Sequence, residues 1–360
     1  MSFPFVQPYF GLGNSLQTAQ ASAAGGGVGG WVELARTTLG SAGDTISVAS
    51  LPDKRYYMIL NNETASAATI TGAYRYNNDS GSNYHFRQST NGGADGTAQS
   101  SSMTQGSYTS TQQFTVGYIA NLSANEKLAQ WHWVDQNTAG AGTAPQRSER
   151  VGKWANTSAA INRVDLINVD VADFAIGSEV VVLGWDPADT HTTNFWEELS
   201  EITIGSAASS MTSSTFTAKK YLWVQGYIKP DGTDTITPTL QLGSTTIDTG
   251  NNYSTRYSFI GGADGTITSN DTMEFLYNTG AKGDPIFFNT FIVNNASNEK
   301  LSLTHVVSQE TAGAATAPQR SEGVGKWTNT SNQANILKID QWSGTGNLGT
   351  DSIVKIWGSD

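Results

Sequence analysis

The histidines and carboxylates of this sequence are the first residues to consider for chemistry. Of the four histidines, His85, His132, His191 and His305, only His132 and His305 occupy equivalent positions of an internal repeat described below. A metal site needs three or four converging ligands, usually at a short and characteristic spacing. The sequence contains no such cluster and no cysteine. We therefore predict no metal and no cofactor, and we expect the histidines to be packed or hydrogen-bonded.

A charged segment occurs twice in the sequence. Arg147-Ser-Glu149 returns unchanged as Arg320-Ser-Glu322, and residues two apart on a strand share one face of the sheet. The spacing therefore predicts a structural role, either in strand pairing or in a subunit contact. We assign the same role to the pairs that follow each segment, which are Lys153-Trp154 and Lys326-Trp327.

An enzymatic interpretation has less support. Glycoside hydrolysis uses two carboxyl groups that flank the scissile bond. Glu149 has Asp135 and Asp165 near it in sequence, and neither can be assigned as its partner. We predict a protein that is not an enzyme and keep a glycoside hydrolase as the last alternative.

Two further motifs are ambiguous. Trp131-His-Trp133 places two indoles on one strand face, whereas the second copy has Thr304-His-Val306. Such a pair can fill a packed interface, which we favour, or form a platform for stacking on sugar rings.

The repeated Gly-Gly-Ala-Asp segments that end at Asp95 and Asp264 lack the alternating acidic ligands of a calcium loop. They predict tight turns in which each aspartate bonds its own backbone.

These residues belong to a tandem duplication. The segment that begins at Trp31 returns at Trp196, and identical six-residue stretches recur later in the same order, with two short insertions in the second copy. Within each copy, eight to ten short runs of β-branched and aromatic residues are bounded by Gly, Asn, Asp and Ser. We predict an all-β chain of two homologous antiparallel β-sandwiches of jelly-roll type. The predicted domains are residues 31–190 and 191–360.

An extended N-terminal arm precedes the two copies. Residues 1–30 contain no charged side chain and end in a glycine-rich tract, which predicts a flexible linker. A purely solvated tail has no need of large apolar side chains, so we predict that the arm docks on a partner surface. The docking residues are Phe3, Phe5, Tyr9, Phe10, Leu12 and Leu16.

Composition excludes several classes of partner. The net charge of -11 argues against nucleic acid, because binding to phosphates depends on Lys and Arg. No apolar run is long enough for a membrane helix, and the N-terminus lacks the features of a signal peptide.

The aromatic arm, the glycine tract and the tandem Thr/Ser/Gly/Asn-rich β domains together resemble virion structural proteins of bacteriophages and related viruses. Segments such as Gly152-Lys-Trp-Ala-Asn-Thr-Ser158 are similar to stretches of phage proteins. Tandem jelly rolls also resemble double jelly-roll capsid proteins. The resemblance implies a particle component that is assembled in the host cytoplasm and released without a signal peptide.

The expected function is therefore a capsid-shell or capsid-surface protein, of decoration or fibre type. We expect a homo-oligomer, with a trimer favoured, whose arm also contacts other virion proteins. A tail or fibre adhesin that binds a host surface glycan is the alternative.

Overall fold

The computed structural model describes residues 30–105, 111–189, 193–274, 284–309 and 312–360. The docking residues predicted in the arm, Phe3 to Leu16, and His191 lie outside this part of the chain.

The first copy forms twelve strands. These are β1 (Val32–Thr38), β2 (Thr45–Val48), β3 (Tyr56–Glu63), β4 (Gly72–Tyr76), β5 (Tyr84–Thr90), β6 (Gly96–Ser100), β7 (Met103–Thr104), β8 (Gln113–Ala120), β9 (Lys127–Asp135), β10 (Gln146–Trp154), β11 (Val164–Asn168) and β12 (Glu179–Trp185).

The second copy repeats eleven of these strands. Its strands are β13 (Glu197–Thr203), β14 (Ser210–Thr212), β15 (Tyr221–Ile228), β16 (Thr237–Ser244), β17 (Thr246–Ile247), β18 (Tyr253–Phe259), β19 (Gly265–Asn270), β20 (Ile286–Val293), β21 (Lys300–Ser308), β22 (Gln319–Trp327), β23 (Ile336–Ser343) and β24 (Ile353–Ser359). Its short strand β17 directly follows β16, whereas β7 follows β6.

Each copy is a sandwich of an eight-stranded and a four-stranded antiparallel sheet. The large sheet of the first copy has the order β1-β12-β3-β8-β9-β10-β5-β6, and the small sheet has the order β2-β11-β4-β7. The large sheet of the second copy has the matching order β13-β24-β15-β20-β21-β22-β18-β19. Its small sheet has the order β14-β23-β16-β17, in which β17 is the hairpin partner of β16 and occupies the edge position of β7. The predicted all-β class with tandem β-sandwiches is confirmed.

The number of strands exceeds the eight to ten predicted for each copy. The surplus comes from very short strands such as β7 and β17, which have two residues each and therefore no periodicity to detect. Residues 124–128, the one stretch where the sequence also suggests a single helical turn, form no helix. Ser123 and Ala124 form a turn, and Leu128 already belongs to β9.

The interior of the first sandwich is organised around Trp131. Its indole stacks on the Tyr74 ring with centroids 4.1 Å apart, and both side chains are buried. Gly117 on the neighbouring strand leaves the space that the indole occupies, because a Cβ there would lie 1.9 Å from two ring carbons. In the second sandwich, Thr304 takes the place of Trp131 and shares a 2.9 Å hydrogen bond with Thr290.

We predict that Gly117→Ala lowers the free energy of unfolding by about 1–3 kcal/mol, the usual cost of overpacking a core. Chemical denaturation followed by tryptophan fluorescence measures this change. Gly40→Ala is the matched control, since a Cβ at that exposed glycine meets no atom within 4 Å. Equal effects of the two substitutions would contradict the packing described for Trp131.

Candidate functional site

The two sandwiches pack against each other through the outer faces of their large sheets. One hydrophobic cluster crosses the boundary between them. From the first copy it contains Met58, Leu60, Phe114, Val116, Val134, Val181 and Leu183, and from the second copy Phe195, Trp196, Tyr221, Phe291, Val293, Leu301, Leu303, Val324 and Trp357. The large sheets are therefore apolar on both faces, one against the small sheet and the other against the opposite copy.

His132 and His305 meet at the centre of this domain interface. The two imidazole centroids lie 4.0 Å apart, edge to face. Burial lowers the pKa of His132 to about 3, and the charges of His305 and Arg147 add to this effect. Burial likewise lowers the pKa of His305 to about 4, with contributions from Arg147 and Arg320. Both histidines are consequently neutral near pH 7.

Arg147 connects the copies beside the histidine pair. Its guanidinium donates to Asp264 of the second copy at 2.7 Å, and both side chains are almost fully buried. It also bonds Glu149 on its own strand and lies 3.9 Å from Glu322. The interpretation of Arg147 and Glu149 as a paired structural contact is supported, with the contact lying between domains.

The loop between β9 and β10 extends this contact. Its backbone oxygens accept hydrogen bonds from Arg256 at Pro145 (2.8 Å), from Lys326 at Gln136 (3.1 Å) and from Ser254 at Thr143 (3.2 Å). Lys326 is thus an interface residue of the second copy. Its equivalent in the first copy, Lys153, is exposed and pairs with Glu126 at 2.8 Å.

The domain interface uses different halves of the two equivalent sheets. Leu128 is 59% exposed, whereas its equivalent Leu301 is 0% exposed. Val151 is 53% exposed, whereas its equivalent Val324 is 3% exposed. The part of the sheet that the second copy buries against its neighbour therefore remains uncovered in the first copy.

This uncovered half forms a groove of about 750 Å³, which is within the usual range of ligand sites. The residues that define the groove are Trp31, Tyr56, Tyr118, Leu128, Val151 and Trp185. Two ring pairs make up much of its wall. Tyr56 stacks on Trp185 with centroids 5.3 Å apart, and Trp31 lies 6.3 Å from Tyr118.

The charges close to the groove already have partners. Lys153 pairs with Glu126, and Arg87 pairs with Asp95 at 3.3 Å. An occupant thus meets a predominantly aromatic and aliphatic surface with neutralised charges at its edge. An uncharged apolar ligand fits this chemistry best, because a charged one would lose hydration without gaining a partner.

A smaller apolar row is exposed on the second copy. Tyr227, Phe287 and Val307 lie on adjacent strands in direct register. Phe287 is 46% exposed, whereas its equivalent Phe114 is 1% exposed because it packs beneath the second copy. Each copy therefore covers half of the other copy's outer face and leaves half of its own uncovered.

The alternative of a glycan platform at Trp131 and Trp133 is wrong for these side chains. Both are buried inside the first sandwich, and Trp133 donates to Gln113 at 2.6 Å. Their strand places them on the inner face, so they pack within one sandwich and the predicted packed interface between domains or subunits is wrong for them. Trp154 and Trp327 are also core residues, each donating to an aspartate, Asp79 at 2.7 Å and Asp248 at 2.8 Å.

The carboxylates considered for hydrolysis are not brought together. Glu149 lies on the outer face of the large sheet with Arg147, and Asp135 lies on the inner face of the same sheet. Asp165 belongs to the small sheet and pairs with Arg163 at 2.9 Å. The carboxylates of Asp95 and Asp264 bond arginines, so the prediction that they bond their own backbone is wrong.

Sequence analysis missed a buried acid in the first copy. Glu63 at the end of β3 is fully buried and accepts a 3.3 Å hydrogen bond from Asn61. Burial raises its pKa to about 8, and the charge of Asp135 adds to the shift. The second copy has Ile228 at this position, so comparing the two copies residue by residue would have identified Glu63.

The groove was missed for a different reason. Leu128 and Val151 have identical residues at the equivalent positions of the second copy, Leu301 and Val324. Their exposure depends on how the copies pack, and sequence periodicity carries no information about that packing.

Within the described ranges, no group of three or more His, Asp or Glu residues is arranged to hold a metal ion. The same part of the chain has no helix of the length and hydrophobicity needed to cross a membrane.

Comparison with known proteins adds little to this description. No protein-family model matches the sequence, and no curated protein matches it. Among solved structures, the chain is similar to domains LG4-5 of the mouse laminin alpha1 chain, with 9% identity, a TM-score of 0.21, and coverage of 91% of this chain and 89% of that chain. The LG1-3 region of the laminin alpha2 chain gives 9% identity, a TM-score of 0.21, and coverage of 88% and 59%.

We predict that Asp264→Asn lowers the free energy of unfolding by about 1–3 kcal/mol, because it removes the charged partner of the buried Arg147. The equivalent substitution Asp95→Asn is the control and should change stability by less than about 0.5 kcal/mol, since that ion pair is exposed. Urea denaturation of both variants measures the difference. A similar loss in the two would show that Asp264 has no special role between the domains.

The histidine pair predicts a pH dependence. An unfolded chain protonates histidine near pH 6.5, whereas the folded pKa values are about 3 and about 4. The unfolded state therefore binds more protons as pH falls from 6.5 to 4, and the two histidines together should lower stability by roughly 2 kcal/mol per pH unit.

Urea denaturation at several pH values tests this dependence. We expect His305→Gln to reduce the slope between pH 6.5 and 4 relative to the wild type. Because the variant is compared with the wild type, the contribution of Glu63 cancels. An unchanged slope in His305→Gln would show that the pair does not control acid stability.

Proposed function

We propose that this protein is a non-enzymatic structural component of a virus particle, which forms a homo-oligomer through its N-terminal arm. The observation that carries the proposal is the uncovered groove of the first copy. Its counterpart in the second copy is a buried protein contact, in which Leu301, Val324 and Lys326 face the first copy. The surface of the second copy that is equivalent to the groove therefore already binds protein, within this chain.

An exposed apolar surface with aromatic walls is typical of protein interaction sites. Trp31, Tyr56 and Trp185 supply rigid rings, which contribute strongly to binding at interfaces. Leu128 and Val151 add aliphatic area between them. These side chains make the groove suited to binding a protein partner during assembly.

The arm supplies apolar side chains suited to such a contact. Phe3, Phe5, Tyr9 and Phe10 lie within eight residues of one another, in a segment without charged side chains. Burying each ring contributes about 1.5–3 kcal/mol before the cost of ordering the arm. In a symmetric particle the same contact is repeated in every subunit, so a modest contribution from each arm is multiplied.

The resemblance of the sequence to virion proteins supports a virus particle as the setting of this assembly. A capsid-shell or capsid-surface position agrees with tandem β-sandwiches, and a trimer is the expected oligomer. Other virion proteins are further partners for the arm in this proposal.

We predict that deleting residues 1–29 leaves two folded sandwiches that no longer assemble. Light scattering should give the mass of the oligomer for the full chain and of the monomer for the truncated chain, with unchanged far-UV circular dichroism. The control replaces the polar arm residues Gln17 and Gln20 by alanine and should keep the full-length mass. An oligomer of unchanged mass after the deletion would refute assembly through the arm.

A further inference from the structure

We propose that the groove of the first copy is the binding site for residues 3–16 of the N-terminal arm. This inference rests on the proposed function and names the surface that the arm binds. It is carried by the geometry of the groove, by the attachment point of the arm and by the chemistry of both.

The geometry excludes a second whole domain that packs on the groove through the contacts used between the two copies. In the packing of the two copies, His132 and its equivalent His305 contact each other directly. A further sandwich placed on the groove by the equivalent contacts would need the space next to His132, which His305 already occupies. The groove therefore admits a narrow segment and excludes a complete domain packed in this way.

The arm begins at the groove. Trp31, the first residue after residues 1–30, is itself part of the groove wall and lies next to Tyr118. Residues 17–30 form the glycine-rich connection to the apolar segment. A glycine-rich linker of this length is expected to span about 20 Å on average. That reach suits the groove of an adjoining chain in an oligomer as well as the groove of the same chain.

The chemistry of the arm matches the chemistry of the groove. The arm offers Phe3, Phe5, Tyr9, Phe10, Leu12 and Leu16 and no charged side chain. The nearby charges Lys153 and Arg87 are already paired with Glu126 and Asp95. Docking the arm consequently buries apolar surface on both sides without leaving a charge that has lost its partner.

The absence of cysteine from the sequence makes a crosslinking test specific. The full-length variant Phe10→Cys/Val151→Cys is treated with a short bis-maleimide, and the crosslinked peptides are identified by mass spectrometry. The control is Phe10→Cys/Val307→Cys, whose second site is also an exposed valine on an outer sheet face, in the other copy. We expect crosslinks to Val151→Cys to exceed those to Val307→Cys by about tenfold. Equal or absent crosslinking at the groove would overturn the proposal.

A third substitution tests the apolar character of the contact. Adding Leu128→Glu to the Phe10→Cys/Val151→Cys variant should reduce crosslinking by about tenfold, because docking would bury an unpaired carboxylate. Leu128 is exposed, so this change should leave the fold intact, which circular dichroism verifies. Undiminished crosslinking would contradict docking over Leu128.

Mixing two singly substituted chains separates this inference from the proposed function. If the arm binds a neighbouring chain, Phe10→Cys and Val151→Cys chains form a crosslinked dimer, and both proposals are supported. Crosslinking within one chain alone supports the groove as the arm site but contradicts arm-mediated assembly. Loss of assembly on deletion of the arm, without any crosslink at the groove, keeps the proposed function and overturns the groove assignment.

Discussion

The structure depends on one constraint, which is that the large sheet of each sandwich is apolar on both faces. The inner face packs against the small sheet and completes the core, and the outer face needs a second packing partner to shield it from water. The two copies meet this requirement in part by packing their outer faces together, with Phe114 and Tyr221 in contact across the boundary. The cluster they form contains apolar residues from both copies and makes the chain one continuous structure.

Because the two copies bury different halves of equivalent sheets, residues of the same type at equivalent positions have different roles. Asp264 is a buried partner of Arg147, whereas Asp95 is an exposed partner of Arg87. Lys326 donates a hydrogen bond to the backbone of the opposite copy, whereas Lys153 is exposed to solvent. The environment created by packing, and not the residue type, determines what each side chain does. A duplicated sequence therefore does not imply a duplicated site.

This distinction explains which features could be predicted. Strand composition and the repeat were sufficient for the tandem all-β sandwiches, since both depend on local sequence. The contact of Arg147 with Glu149 followed from strand geometry, but its partner Asp264 depends on the relative placement of the copies. Trp131 and Trp133 were correctly placed on one face, yet alternation cannot tell which face is buried when both are apolar. The groove was undetectable for the same reason, because Leu128 and Leu301 are identical in type and opposite in exposure.

The two equivalent outer faces differ in where their aromatic residues lie. An exposed apolar surface favours aggregation, and charged substitutions would relieve that risk. The first copy instead carries Trp185 where β24 of the second copy has Ser359, in the equivalent register beside Tyr56 and Tyr221. The uncovered surface thus has an indole at this position, where the covered surface has a serine. The covered face carries its own indoles at the neighbouring positions, Trp223 and Trp357, where the first copy has Met58 and Leu183. The two outer faces are therefore both aromatic but place their rings at different points, so each presents a different shape to whatever packs against it.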